Sequence, residues 1–125
     1  MARRVVDSSV VLALVLDELI EDISEQIRGA MLSTVNAAEI VHRLRRGGSS
    51  MDVGSIVDNL GLAVVPFDLQ LAITAGELGT KTRVRGLSLG DRACLALALR
   101  EDVPAMTADR VWGELNLGVK VELVR

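Results

Sequence analysis

The chain has 125 residues, 50% of them hydrophobic, with a formal net charge of −3 and Phe67 and Trp112 as its aromatics. That length fits one domain spanning residues 1–125 with a real core, and the acidic balance excludes a global positive field that would attract nucleic acid. Cys94 is the one cysteine, which excludes an intramolecular disulfide and a cysteine-built zinc site.

Residues 4–6 read as a short buried strand ended by Asp7, Ser8 and Ser9. Residues 10–16 are continuously apolar, and periodicity alone leaves them strand or helix. The acidic stretch 17–26 predicts a helix, with Leu19, Ile20, Ile23 and Ile27 at helical spacing. Residues 30–32 are a second strand. Residues 33–36 then offer several N-caps for a helix to about Arg46. After the break at 47–50, residues 51–60 suit a polar-faced helix that Gly61 ends. Residues 62–65 form a third strand stopped by Pro66, and Asp68 caps a helix from Leu69 to about Leu78. Residues 80–86 are a basic loop. Ser88 opens a helix whose centre, 93–99, is apolar on every side and so is buried on more than one face. Residues 105–107 are a fourth strand, Asp109 starts a short helix, and 119–123 are a last strand. Strands alternating with helices predict a parallel sheet covered on both faces.

The opening MARRVVDSSVVLALVLDE has a superficial likeness to a secretory leader. Asp7 interrupts its apolar run, Asp17 and Glu18 flank it, and it has no small-residue cleavage site. No run is long enough to span a bilayer. The expectation is a cytoplasmic protein without membrane contact. Mean hydropathy of +0.37 is high for such a protein and predicts apolar surface covered by another chain.

Four acids fall at strand-to-helix junctions: Asp7 in RVVDSSVV, Glu39 in STVNAAEI, Asp91 in LSLGDRACLALA and Asp109 in AMTADRVW. In an open parallel sheet such junctions line the carboxyl edge, where ligands bind. Four carboxylates in one crevice repel each other unless cations neutralise them, and oxygen-only donors suit Mg²⁺ or Mn²⁺. Each acid also has a structural reading. Asp91 and Glu39 stand three residues after Ser88 and Asn36, the capping-box spacing. Asp109 is a natural N-cap, and Asp7 suits an Asx-turn with Ser9. Singly, capping is favoured for Glu39, Asp91 and Asp109, and Asp7 is close to even. Glu39 lies opposite the stripe Ala37, Ile40, Val41 and Leu44, so it faces solvent or a cleft. His42, one turn beyond, reads as part of a solvated polar face beside Arg43. Other classes lack their signatures. A receiver domain needs paired acids at the first strand, and a haloacid-type phosphatase needs an acid where Ser9 stands. No nucleotide-binding glycine pattern is present.

The segments VVDSSVVLALVLDE, LSTVNAAEIVHRL, VVPFDLQLAITAGEL, GLSLGDRACLALAL and MTADRVW with LGVKVELVR carry a resemblance. In order and content they resemble the PIN-domain nucleases, specifically the VapC toxins of bacterial toxin–antitoxin pairs. The resemblance implies a three-layer α/β sandwich around a parallel sheet of about five strands. It implies that Asp7, Glu39, Asp91 and Asp109 form the catalytic quartet that holds Mg²⁺ or Mn²⁺, with Asp7 and Asp91 as principal ligands. Ser8, Asn36 and Thr107 then stand behind the carboxylates and orient them. It further implies hydrolysis of RNA by water, a cognate VapB-type antitoxin as partner, and a homodimer. Some members carry a further acid after the last motif, where this chain has Arg110, Val111 and Trp112.

RNA would be gripped by the 80–86 loop through Lys81, Arg83 and Arg85, since the chain places that loop at the acidic edge. With two aromatics there is no stacking platform for bases. The antitoxin is expected in an apolar groove formed by residues 10–16 and the helix 19–27. The rival of a different class is a catalytically silent module of the same fold that only holds an antitoxin.

Overall fold

The computed structural model describes residues 3–82 and 86–125. Five short strands, β1 (Val5–Val6), β2 (Met31–Ser33), β3 (Ala63–Val65), β4 (Ala105–Thr107) and β5 (Val121–Leu123), form one sheet in the order β3-β2-β1-β4-β5. Every neighbouring pair is parallel. Five helices are α1 (Ser8–Val15), α2 (Thr34–Arg46), α3 (Val53–Leu60), α4 (Leu69–Thr82) and α5 (Leu89–Glu101), with a 3-10 turn over Arg110–Glu114.

Alternation along the strands divides the core into two layers. Val6, Leu32 and Met106 pack on one face of the sheet with Val10, Val11 and Leu12 of α1, Ile40 and Leu44 of α2, and Val53 and Ile56 of α3. Val5, Met31 and Ala105 pack on the other face with Leu71, Ala75 and Leu78 of α4, Cys94 to Ala98 of α5, and Trp112. The result is the three-layer sandwich expected from the alternation of elements. Helix α5 is buried from Ala93 to Ala98 on all sides because it packs against α4, α2 and the strands β1 and β2. Its centre alternates Ala and Cys with Leu95 and Leu97, small residues that admit the neighbouring backbones. Among the described residues, no helix is long and apolar enough to cross a membrane.

Three expectations are corrected. Residues 17–26 are not a helix: α1 ends at Val15, Asp17 adopts φ 56, and the chain continues through bends to a turn near Ile27. A left-handed Asp breaks the helical path, and an Asx-type bond from the Ser24 amide to Asp22 Oδ1 (2.9 Å) gives the acidic stretch a turn instead. Ile23 and Ile27 are still buried, while Ile20 is fully exposed. The partner groove predicted between 10–16 and 19–27 is also narrower than expected, since Val10 to Ala13 are core. What remains is a depression lined by Ala13, Leu14, Leu19 and Ile20, among others.

The third correction concerns α4, which runs on to Thr82 and so carries Lys81 on a helix rather than in a loop. Gly79, which falls between the helix expected to end near Leu78 and the expected 80–86 loop, is a packing position inside α4. A Cβ there would lie 2.9 Å from Arg92 Nη1, and the same Arg92 nitrogen donates to the Ala75 carbonyl at 3.0 Å. Arg83 and Arg85 lie outside the described residues.

Candidate active site

The sheet order reverses direction at β1: the chain moves from β1 to β2 and β3 on one side, then to β4 and β5 on the other. Such a switch point opens a crevice at the carboxyl ends of the two flanking strands. Asp7 directly follows β1, and Thr107 ends β4.

Hydrogen bonds tie these two ends together. Asp7 Oδ2 accepts from Ser9 Oγ at 2.7 Å and from Thr107 Oγ1 at 3.1 Å. Ser9 Oγ in turn accepts the Ala108 amide at 3.0 Å, and Thr107 Oγ1 accepts the Asp109 amide at 3.1 Å. Asp7 is only 3% exposed, and its Oδ1 is buried without a hydrogen-bond partner. Its pKa is raised from 3.8 to about 6, chiefly by burial and further by the charges of Asp91 and Glu39, with the Ser9 and Thr107 hydroxyls opposing.

Glu39 reaches the same place from α2. Its Oε1 accepts from Ser8 Oγ and from Asn36 Nδ2, both at 2.9 Å. Asn36 is wholly buried and also donates to the Gly90 carbonyl at 3.1 Å. Both partners are acceptors, so the amide nitrogen faces them. Asn36 therefore does not cap α2. Ser33 does, accepting the Val35 amide at 3.2 Å. The expected Asn36–Glu39 capping box gives way to a side-chain bridge linking α2 to the start of α5.

Asp91 sits in the first turn of α5 and forms a full capping box with Ser88. Its Oδ2 accepts the Ser88 amide at 3.0 Å, and Ser88 Oγ accepts the Asp91 amide at 3.1 Å. Its pKa is raised, first by burial and then by the charges of Glu39 and Asp109, against the lowering effect of Ser88. Asp109 is the N-cap of the 3-10 turn, with Oδ1 accepting the Val111 amide at 3.0 Å.

One pattern runs through all four acids. Each gives one oxygen to the protein, Asp7 Oδ2, Glu39 Oε1, Asp91 Oδ2 and Asp109 Oδ1. The other oxygen of each accepts no hydrogen bond among the described residues. Capping and site duty are thus not alternatives here, because different oxygens of one carboxylate serve them. The mutual repulsion that raises Asp7 and Asp91 shows that the charges are close enough to feel each other.

Four free carboxylate oxygens, one of them buried and orphaned, suit a hard divalent cation. Among the described residues no group of three or more Asp, Glu, His or Cys side chains stands close enough together to hold a metal ion. The fit therefore rests on donor chemistry and on the orphaned Asp7 oxygen.

A model of the PIN-domain family matches residues 4–116. The chain belongs to the PIN-domain family. Among solved structures, a DNA-bound VapBC from Salmonella typhimurium is similar at 18% identity and TM-score 0.78, with all of both chains covered (100% and 100%). VapBC2 from Rickettsia felis, bound to a DNA fragment from its promoter, is similar at 14% identity and TM-score 0.74, covering 98% of this chain and 99% of that one. VapBC-5 from Mycobacterium tuberculosis is similar at 23% identity and TM-score 0.59, covering 100% and 99%. At these identities the likeness shows the fold. No curated protein matches the sequence.

Within this PIN domain the structure brings Asp7, Glu39 and Asp91 within electrostatic reach, with Asp109 acting on Asp91. Ser8 and Asn36 hydrogen-bond Glu39, and Thr107 hydrogen-bonds Asp7. Two residues of the site lay beyond the sequence reading. Ser9 was seen only as a turn residue, yet it bridges Asp7 to the chain after β4. Gly90 was passed over, yet a Cβ built on it would land on the Glu39 carboxylate. The available signal was a glycine inside the first turn of an otherwise strong helix, where it costs about 1 kcal/mol relative to Ala and so needs a reason.

Proposed function

We propose that this PIN domain is a ribonuclease that hydrolyses RNA phosphodiesters with Mg²⁺ or Mn²⁺, acting as the toxin of a VapBC-type pair. The observation that carries the reading is the buried, unpartnered Oδ1 of Asp7 at the switch point, with Glu39 and Asp91 close enough to repel it. The fold shared with three VapBC structures supports the toxin role. Asp7 and Asp91, with Glu39 and Asp109 completing the set, would hold a divalent cation, which when bound would supply Lewis-acid polarisation of a phosphoryl oxygen and acidify a water. Ser9 and Thr107 fix the Asp7 carboxyl plane by holding Oδ2. Ser8 and Asn36 do the same for Glu39. Such supporting bonds typically matter 10–100-fold, an order of magnitude set by other metal sites. Lys81, in the last turn of α4, contributes to the RNA grip, together with Arg83 and Arg85 that follow it in the sequence. The partners are a VapB-type antitoxin and a second copy of the chain, in the cytoplasm.

The test is cleavage of total RNA by the purified protein, with the ends mapped. Cuts leaving 5′-phosphates and 3′-hydroxyls, lost in EDTA and restored by Mg²⁺ or Mn²⁺, are expected. Co-expression with the neighbouring small open reading frame should yield a stable complex without cleavage. A complex that forms while the free protein cuts nothing under any metal would assign the chain to a silent antitoxin-holding module.

A further inference from the structure

Arg43 lies on α2 four residues after Glu39, on the same helical face. A Glu followed by Arg at this spacing normally pairs, and the order is the favourable one. Here Arg43 has no ion pair or hydrogen bond among the described residues. The reason lies in Glu39, whose Oε1 is held inward by Ser8 and Asn36 and whose carboxylate lies against Gly90. Arg46, three residues on, is likewise unpaired among the described residues but lines neither depression that touches the acids. Three other neighbouring cations are engaged elsewhere. Arg45 donates to the Ser49 carbonyl, Arg92 to the Ala75 carbonyl, and Arg125 pairs with Glu18.

Two depressions flank the acidic cluster, and Arg43 lines both. The larger, about 590 Å³, is bounded by Ser8, Glu39, His42, Ser88, Leu89 and Gly90, among others. The smaller, about 230 Å³, is bounded by Ser9, Ala108, Asp109 and Arg125, among others. Between them they touch two of the four acids, Glu39 and Asp109. An unpaired guanidinium that bridges two depressions at the rim of an acidic site is placed to hold an anion that the acids themselves would repel.

We propose that Arg43 holds a backbone phosphate of the RNA strand as it passes from one depression to the other beside the cleavage site. The proposal rests on the ribonuclease reading above and shifts the main electrostatic anchor from the end of α4 to α2. The guanidinium fork offers paired N–H donors to two phosphate oxygens, a geometry that Lys cannot match. Its exposure keeps it in reach of solvent and strand alike, and its fixed point on the Glu39 face sets the register of the strand against the carboxylates.

The experiment measures binding of a fluorescein-labelled RNA stem–loop by anisotropy at several salt concentrations, using the Asp7→Asn variant so that the RNA stays intact. Adding Arg43→Ala should weaken binding about tenfold and reduce the slope of log affinity against log salt by roughly one, the value for one lost phosphate contact. Arg43→Lys should keep the slope while losing affinity. Arg45→Ala should leave the slope unchanged. In the otherwise wild-type protein, Arg43→Ala should raise KM for RNA cleavage with Mn²⁺ affinity unaltered by calorimetry. Affinity and slope equal to the parent's, in a protein that does cleave RNA, would overturn the proposal. A wild-type protein that neither binds nor cuts the RNA would overturn the ribonuclease reading first, and this proposal with it.

Discussion

Asp7→Asn is expected to lower metal-dependent RNA cleavage by on the order of 10³-fold, and to flatten the pH dependence of stability in the metal-free protein. On the proposed function, the first effect follows from losing a carboxylate that would hold the cation, a contribution of several kcal/mol at about 1.36 kcal/mol per tenfold in rate. The second follows from linkage. The carboxyl group of Asp7 is raised from 3.8 to about 6 by burial and by Asp91 and Glu39, so the folded state binds its proton more tightly than the unfolded chain. Stability from this group is fully present below about pH 4 and is lost as pH rises through about 6. A displacement of that size corresponds to about 3 kcal/mol lost by pH 7. Asp91 is displaced in the same direction and adds to the trend. In Asn the Nδ2 group takes the place of the orphaned Oδ1 or of an accepting oxygen, which costs about 1–3 kcal/mol at every pH. The comparison is therefore of slopes. Urea denaturation in EDTA from pH 4 to pH 7.5 should show the wild type declining and Asp7→Asn declining much less. Parallel curves would mean that Asp7 is not held in a repulsive, dehydrated place.

The same carboxylates show what a sequence can and cannot carry. The positions of Asp7 and Asp109 just after β1 and β4 were legible because a parallel α/β pattern puts such junctions on one edge. Glu39 instead lies inside α2, and Asp91 opens a helix that follows α4 and no strand, so the strand-end reading was wrong for those two. The capping box at Ser88 and Asp91 was legible because its spacing is fixed by one helical turn. The division of labour between the two oxygens of one carboxylate was not, since it depends on side-chain directions set by packing. Residues 17–26 misled because Leu19, Ile20, Ile23 and Ile27 imitate a helical stripe. Nothing local reveals that Asp17 turns left-handed and leaves Ile20 in solvent. Helix α4 misled in the opposite sense, since the sequence suggests an end near Leu78, before Gly79, until the Arg92 side chain that lies over this glycine is known. Strand order had no local signal, because strands of two or three residues carry no periodicity. It follows from which helices bury which face. Asn36 illustrates the general limit: its spacing to Glu39 suggested a cap, but its amide spans from α2 to the Gly90 carbonyl 54 residues away.

Gly90→Ala should be among the most damaging single-methyl changes in the protein, although propensity alone predicts the reverse. In a helix, Ala is favoured over Gly by about 1 kcal/mol. At this position the new Cβ would fall on the Glu39 carboxylate. Glu39 cannot simply rotate away, because Ser8 and Asn36 hold its Oε1 and Asn36 is itself anchored to the Gly90 carbonyl. Relief must come from breaking these bonds or from moving α5 away from α2. Overpacking of this kind costs about 1–3 kcal/mol, and a displaced Glu39 should lower cleavage by about 10–100-fold. The double variant Gly90→Ala with Glu39→Ala separates the causes. Removing the carboxylate removes the clash, so the methyl should then be neutral or stabilising, and the two changes should be non-additive in stability by more than 1 kcal/mol. Thermal or urea denaturation of the four proteins gives that coupling directly. Additive effects, or a Gly90→Ala protein that gains stability and cleaves RNA normally, would mean that Glu39 does not occupy the space above Gly90. The glycine in the first turn of α5 would then need another explanation.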